Sequence, residues 1–381
     1  MFGEMTLGFR EVIRSFTGED SHVHWQRLLT PLTVALLGTG SLLQAARSDE
    51  IDDYINAEMQ KRHVPGVSLA VIKEGKVVKA QGYGLANVEL NVPAGPETVY
   101  KIGSVSKQFI AAGIMLLVQD GKIKVDDKIS TFLQGTPEAW KDITIRHLLT
   151  HTSGLSREAP GFASLKVQSD AELIKTAYTQ KLDFAPGEKW RYCNLGYFAL
   201  AEIMRKVSGK PWGEYMRERV FAPLGMDSTR VTTARDIVSS RADGYYWRGH
   251  LENDEVMLAV RPSGAFLSSV LDLAKWEAAI YGHTVLSQAS LDEMWTSVTL
   301  NDGKQHPYGY GWELGPIAGH RVVRHGGSLT GFRSSYLRLV DDKVSIIVLA
   351  NGATAQPGVI AIEVARHYVL ELAPEPAASA N

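Results

Sequence analysis

Tyr100-Lys101-Ile102-Gly103-Ser104-Val105-Ser106-Lys107, continued by QFIAAGIMLLVQDG over residues 108–121, decides the reading of this chain. Positions 109–118 are apolar on every face apart from small Ala and Gly, which predicts a helix buried all round. Gly121 is a natural stop. A helix in the middle of a core has a rigidly fixed start, and Ser104 stands there. Its backbone N–H and the positive end of the helix can stabilise a developing oxyanion. Lys107 follows at i+3, one turn on, within reach of the Ser104 hydroxyl. A serine nucleophile needs a base, and a lysine kept neutral by its surroundings can serve. Ser-x-x-Lys also arises wherever a serine caps a helix with a lysine one turn later, so the pattern needs support from the rest of the chain.

Upstream, Ser48 reads as an N-cap for DEIDDYINAEM (49–59), which puts Ile51, Ile55 and Met59 on one helix face. Pro65-Gly66 ends it. VSLAVI (67–72) and KVVKAQGYG (76–84), joined by Lys73-Glu74-Gly75, predict an antiparallel hairpin. Downstream, strand-like runs fall at 308–314, 320–325, 332–340 and 344–350, with Asp341-Asp342 as a turn. PGVIAIEVARHYVLEL (357–372) has helical period. Residues from about 105 to 300 read as helices and loops. The pattern predicts an α+β fold with an antiparallel sheet drawn from both chain ends (about 60–90 and 306–351). Helices flank the sheet, and a mostly helical region is inserted between its halves. Residues 48–373 form one catalytic domain in this reading, and 374–381 a frayed tail.

The 381 residues are 45% hydrophobic and 22% charged, which excludes wholesale disorder. With 40 Lys and Arg against 42 Asp and Glu, there is no basic excess for phosphate neutralisation, so a nucleic-acid partner is not expected. The single cysteine, Cys193, excludes an intrachain disulfide and a cysteine zinc cluster, leaving a cysteine nucleophile open. LLTPLTVALLGTGSLL (28–43), followed by Gln44-Ala45-Ala46-Arg47, has the form of a secretory apolar core and cleavage site, short for a membrane span. Residues 1–47 are therefore expected to be a leader and the protein periplasmic or secreted, although only Arg27 supplies the local positive charge. A short core helix or an uncleaved membrane anchor are the alternatives.

Two further motifs stand beside Ser104 and Lys107: Tyr192-Cys193-Asn194 within PGEKWRYCNLGY (186–197), and His325-Gly326-Gly327 within RHGGSLTG (324–331). The ordered set resembles the serine β-lactamase and penicillin-binding-protein superfamily, in its class C β-lactamase-like branch. That branch includes D-Ala-D-Ala carboxypeptidases, D-amino-acid peptidases and amidases, and family VIII carboxylesterases. There the elements are Ser-x-x-Lys, Tyr-x-Asn and Lys/His/Trp-x-Gly, in this order. HLLTHTSGL (147–155) and HGGSLTGFRSSY (325–336) are also similar to that branch, and the likeness spans residues 50–372.

The resemblance implies a β-lactamase/transpeptidase-like fold and a serine hydrolase working through a Ser104 acyl-enzyme, with no metal and no cofactor. Lys107 would help deprotonate Ser104, Tyr192 would carry the proton to the leaving group and later activate water, and Asn194 would orient Lys107 and bind the acyl group. The N–H groups of Ser104 and Ser328 would form the oxyanion hole, with Gly326 and Gly327 allowing close approach of substrate. His325 stands where the branch commonly has a cation. An imidazole with an ordinary pKa of about 6.5 is largely neutral at pH 7, which weakens carboxylate anchoring. This favours small acyl esters, or D-amino-acid-containing peptides and amides, over β-lactams. A β-lactamase or DD-carboxypeptidase proper is the alternative of the same class. A catalytically idle binding or scaffold protein is the alternative of another class.

Rival motifs are weaker. His147 and His151 have the i, i+4 spacing of two metal ligands but lack the intervening Glu and a third ligand. Gly82-Tyr-Gly84 and Gly309-Tyr-Gly311 read as strand or turn glycines. Gly326-Gly-Ser328-Leu-Thr330 misses the final Gly of an α/β-hydrolase elbow. By strand alternation the Cys193 side chain is expected to point away from those of Tyr192 and Asn194.

Overall fold

The computed structural model describes residues 38–231, 236–254, 260–369 and 372, with backbone alone for 38–49. Two units separate, Met1–Ala46 and Arg47–Asn381. The leader-like run lies outside the described residues up to 37, as does the tail 374–381. Among the described residues no helix is long and apolar enough to cross a membrane.

The larger unit is built on a seven-stranded antiparallel sheet. Its strands are β1 (Gly66–Lys73), β2 (Lys76–Asn87), β3 (Val92–Pro93), β4 (Glu313–Ile317), β5 (His320–Leu329), β6 (Phe332–Leu339) and β7 (Val344–Ala350), in the order β4-β5-β6-β7-β1-β2-β3. The two chain ends meet at β1 and β7, where Val67 pairs with Ala350 and Lys73 with Val344. These central strands are near-continuous apolar runs, broken only by Ser68 and Ser345, because both of their faces are covered. Val67, Leu69 and Val71 face one core with Ile346, Val348 and Ala350, while Ala70 and Ile72 face the other with Ile347 and Leu349. The first core is closed by Ile51, Ile55 and Met59 of the N-terminal helix and by Ile360, Ala361 and Val364 of the Pro357–Arg366 helix. The second is the helical region. The predicted hairpin forms on a two-residue turn, with Glu74 and Gly75 at φ of 51° and 74°.

Three sequence expectations are corrected. The N-terminal helix runs Gly38–Arg62, straight through Ser48, which is therefore no N-cap. The aromatic run from Tyr308 is mostly loop: Gly311 sits at φ +76° against the Lys107 carbonyl, and the strand starts at Glu313. The last helix ends at Arg366, and the apolar pattern continues because Val369 and Leu372, beyond the turn at 367–368, are buried.

The predicted central helix is Ser106–Gln119, entered through a 3₁₀ turn at Gly103–Val105. Every residue from Ser106 to Leu117 is buried. Its start is pinned by a small sheet in which Tyr100 and Lys101 pair with Ser268 and Leu267, and by the Ile102 N–H donating to Phe266 O at 3.1 Å. Of the buried polar groups there, Ser106 Oγ accepts from Phe266 N–H (3.1 Å) and Gln108 Oε1 from Trp276 Nε1–H (2.9 Å), whereas Gln108 Nε2 has no partner among the described residues.

Candidate active site

Ser104 is partly exposed on the turn that opens the buried helix, while Lys107 behind it is wholly buried. Lys107 Nζ has three oxygen neighbours: Asn194 Oδ1 at 2.8 Å, Ser263 O at 2.9 Å and Ser104 Oγ at 3.2 Å. Burial drives its pKa well below the ordinary 10.5, with the Arg261 charge adding to the effect and Glu158 opposing it. Asn194 is the first residue of the Asn194–Ser208 helix. Its Nδ2 donates to Glu158 Oε1 at 2.6 Å, and Arg261 holds the other Glu158 oxygen. A carboxylate only accepts, so the Asn194 amide nitrogen must face Glu158 and its oxygen must face Lys107.

Tyr192 packs its ring 4.6 Å from Lys107 Nζ, and the Arg157 guanidinium lies 5.5 Å from the same ring centroid. Burial raises the Tyr192 pKa, and a hydrogen bond with Ser104 pulls it the other way. At pH 7 the phenol therefore carries its proton. Tyr192 and Cys193 are not in a strand, so the alternation argument for Cys193 does not apply. Cys193 is instead the N-cap of the Asn194–Ser208 helix, its Sγ accepting from Gly196 N–H (3.3 Å) and donating to Ser156 O (3.2 Å). It is buried, and burial pushes its thiol up to about 11. A thiol reagent at pH 7–8 is expected to leave both Cys193 and activity untouched in the folded protein. Stoichiometric labelling before unfolding would refute this.

Gly103, Gly327 and Ser328 show how the opposite wall is built. Gly103 adopts φ +53°, and a Cβ there would lie 2.7 Å from Ser328 N. A Cβ on Gly327 would lie 2.1 Å from both Ile102 O and Ser334 Oγ, whereas one on Gly326 meets nothing nearer than 3.9 Å. Ser334 Oγ bonds Ile102 O at 2.7 Å and ties the two segments together. The close approach thus joins β5 to the turn carrying Ser104. Ser104, Tyr192, Gly326, Gly327 and Ser328 line one cleft of about 570 Å³, with Glu313 and Arg324 also on its wall. His325 borders it but is 2% exposed, with Nδ1 2.7 Å from Gly326 O and Nε2 3.0 Å from Tyr308 Oη. Burial pushes its pKa down to about 3.

All eight residues selected from sequence thus gather around this cleft and the buried pocket behind it. Sequence reasoning missed Glu158, Arg261 and Ser263. Glu158 and Arg261 lie in loops that carry no motif, and Ser263 contributes a backbone carbonyl, which leaves no side-chain signal. His147 and His151 do not pair as ligands. His147 belongs to the helix Ile145–Leu149 and bonds Thr144, whereas His151 lies beyond that helix at φ +63°.

The fold and the cleft define a β-lactamase/transpeptidase-like protein. The chain matches the Beta-lactamase family over residues 51–370, and it belongs to that family. It is 31% identical over 315 residues to penicillin-binding protein 4* of Bacillus subtilis, covering 77% of this chain. It spans between 62% and 69% of the length of the curated relatives it matches. Among solved structures it is similar to the octameric penicillin-binding protein homologue from Pyrococcus abyssi. That match has a TM-score of 0.74 and 31% identity, covering 84% of this chain and 76% of the other. It is also similar to the D-amino acid amidase of Ochrobactrum anthropi SV3 solved with L-phenylalanine, with a TM-score of 0.72 and 25% identity. That match covers 86% of this chain and 98% of the other. Family and neighbours make the chain a β-lactamase-related hydrolase.

Proposed function

We propose that this hydrolase acts through an acyl-enzyme on Ser104, taking small acyl esters or D-amino-acid-containing peptides and amides ahead of β-lactams. The observation that carries the reading is the Lys107 environment. A neutral amine has two N–H donors and one lone pair. Asn194 Oδ1 and Ser263 O can only accept and stand at the two shorter distances, so they take both donors. The lone pair is left for the third and longest contact, the Ser104 hydroxyl at 3.2 Å. Lys107 therefore accepts the Ser104 proton as Oγ attacks the acyl carbon. The N–H groups of Ser104 and Ser328 receive the oxyanion. Tyr192, held protonated by burial, gives its proton to the leaving group and is reprotonated through Lys107. Water then reverses the sequence and releases the acid.

The substrate order rests on His325. With its ring neutral and both nitrogens engaged, the residue at the customary cation position cannot hold a carboxylate. A second reading, DD-carboxypeptidase action on carboxylate-bearing D-peptides, is favoured by the exposed Arg157 guanidinium beside Tyr192. The leader-like segment supports export to the periplasm or medium, which the N-terminal mass of the mature protein tests.

A fluorophosphonate or penicillin probe followed by peptide mass spectrometry is expected to place the adduct on Ser104, with no adduct and no turnover in Ser104→Ala. An adduct elsewhere would sink the mechanism. A panel of p-nitrophenyl butyrate, D-Ala-p-nitroanilide, a D-Ala-D-Ala peptide and nitrocefin ranks the substrates. Nitrocefin ahead by orders of magnitude in kcat/KM would overturn the argument from His325.

A further inference from the structure

Behind Tyr192 runs a line of buried hydrogen bonds that the catalytic cycle above does not use. The Cys193 backbone N–H donates to His151 Nδ1 at 3.1 Å. His151 Nε2 lies 3.1 Å from Tyr308 Oη, Tyr308 Oη lies 3.0 Å from His325 Nε2, and His325 Nδ1 lies 2.7 Å from Gly326 O. His151, Tyr308 and His325 are each no more than 2% exposed.

The ends of this line set its polarity. A backbone N–H can only donate and a backbone carbonyl can only accept. The first bond leaves His151 Nδ1 bare, so its proton is on Nε2 and goes to the Tyr308 oxygen. The last bond needs the His325 proton on Nδ1, so His325 Nε2 is bare and takes the Tyr308 hydroxyl proton. One proton then serves each of the four contacts, and both imidazoles are neutral with opposite tautomers. Tyr197, whose own hydroxyl donates to Leu149 O at 3.0 Å, is the competing acceptor for the Tyr308 proton.

We propose that Tyr308 and His151 are positioning residues that lock His325 in the Nδ1–H tautomer, so that its N–H is spent on Gly326 O and holds the Gly326–Ser328 backbone in register with Ser104. His151 also packs against the Tyr192 ring, their centroids 4.4 Å apart, so the same line beds the phenol. His325 in this role touches no substrate. Its place in the motif is explained by what it does to the strand that presents the Ser328 N–H.

The inference rests in part on the acyl-enzyme reading, and the experiment separates the two. The full chain is labelled with ¹⁵N-histidine, and long-range ¹H–¹⁵N correlations are recorded at pH 7, with His151→Asn and His325→Asn for assignment. The expected result is His151 as Nε2–H and His325 as Nδ1–H. Tyr308→Phe keeps the ring and should fold. It is expected to release His325 into a tautomer mixture and to lower kcat on p-nitrophenyl butyrate about tenfold, the scale of one neutral hydrogen bond, with KM within twofold. His325 found as Nε2–H or as imidazolium in the parent protein overturns the proposal. So does Tyr308→Phe with kcat within twofold, or with kcat lowered while both tautomers stay as they were. A parent protein that forms no Ser104 adduct refutes the acyl-enzyme reading instead, and the tautomer spectra still decide the line.

Discussion

Lys107→Met is expected to lower kcat/KM on p-nitrophenyl butyrate about 10³-fold, within the range for loss of a positioned general base. Methionine has nearly the same length and volume, so the buried slot stays filled. The variant should therefore keep the parent far-UV circular dichroism spectrum. What it loses is the lone pair facing Ser104, together with the two N–H donors that Asn194 Oδ1 and Ser263 O take. Those two orphaned acceptors carry a stability cost that is the same at every pH. The pH-dependent part has the opposite sign. The folded pKa of Lys107 lies below 10.5, so between the two values the unfolded chain binds a proton that the native chain does not. The lysine's contribution is therefore complete above about pH 10.5 and is lost as pH falls toward its folded value. Methionine has no such dependence. Plotted against pH, the Tm of the variant minus that of the parent should rise as pH is lowered from 10.5. A flat or falling difference, or a variant retaining a tenth of the parent kcat/KM, would show that Lys107 is charged in the native state or is not the base.

Gly327→Ala should cost about 10²–10³-fold in kcat, while Gly326→Ala should change it less than threefold. The two glycines are neighbours in one motif, which the resemblance writes as Lys/His/Trp-x-Gly, leaving 326 open and asking for Gly at 327. Their surroundings give the physical reason. The alanine methyl at 327 would lie 2.1 Å from the Ile102 carbonyl and from Ser334 Oγ. The first is backbone and cannot rotate away. Strand β5 must then retreat from the Gly103 turn and take the Ser328 N–H with it. Overpacking of this kind commonly costs about 1–3 kcal/mol, so the 327 variant should also melt several degrees lower. At 326 the nearest atom is 3.9 Å away and nothing has to move. Equal effects at the two positions would show that β5 is not held against the turn as described. They would also favour the sequence-based idea that both glycines clear space for substrate.

The parts of this protein legible in its sequence are those in which chemistry is encoded within a few residues. Ser104 and Lys107 are one helical turn apart. Tyr192 and Asn194 flank a helix start, and β1 and β7 announce themselves as near-continuous apolar runs, each broken by one serine, because both faces are buried. Where a role depends on distant contact the sequence is silent. Glu158 orients Asn194 across 36 positions, and Ser263 reaches Lys107 across 156, through a carbonyl that any residue type could supply. Local grammar also misled. Tyr308–Trp312 has strand-like composition, yet it is mostly loop: its aromatic rings are buried, and Gly311 lies against the backbone of the central helix at Lys107. Ser48 has the type and neighbours of an N-cap, but backbone helix already surrounds it. In His-Gly-Gly the family motif asks for Gly only at 327, but the reason, the Ile102 carbonyl against it, is a contact between segments more than 200 positions apart.

The sheet closes by joining β1 to β7, and this fixes when the protein can fold during its synthesis. Val67 leaves the ribosome ~280 residues before Ala350, its partner. At a synthesis rate of roughly 5–20 residues per second, β1 waits roughly 15–55 s with one edge open. The central helix and the cleft residues emerge in that interval with no β5 to stand against them. A chain stopped between Asn194 and Val344 thus contains Ser104, Lys107, Tyr192 and Asn194 but lacks the strand that closes the sheet. The sheet on which the cleft stands cannot close until those last strands are made.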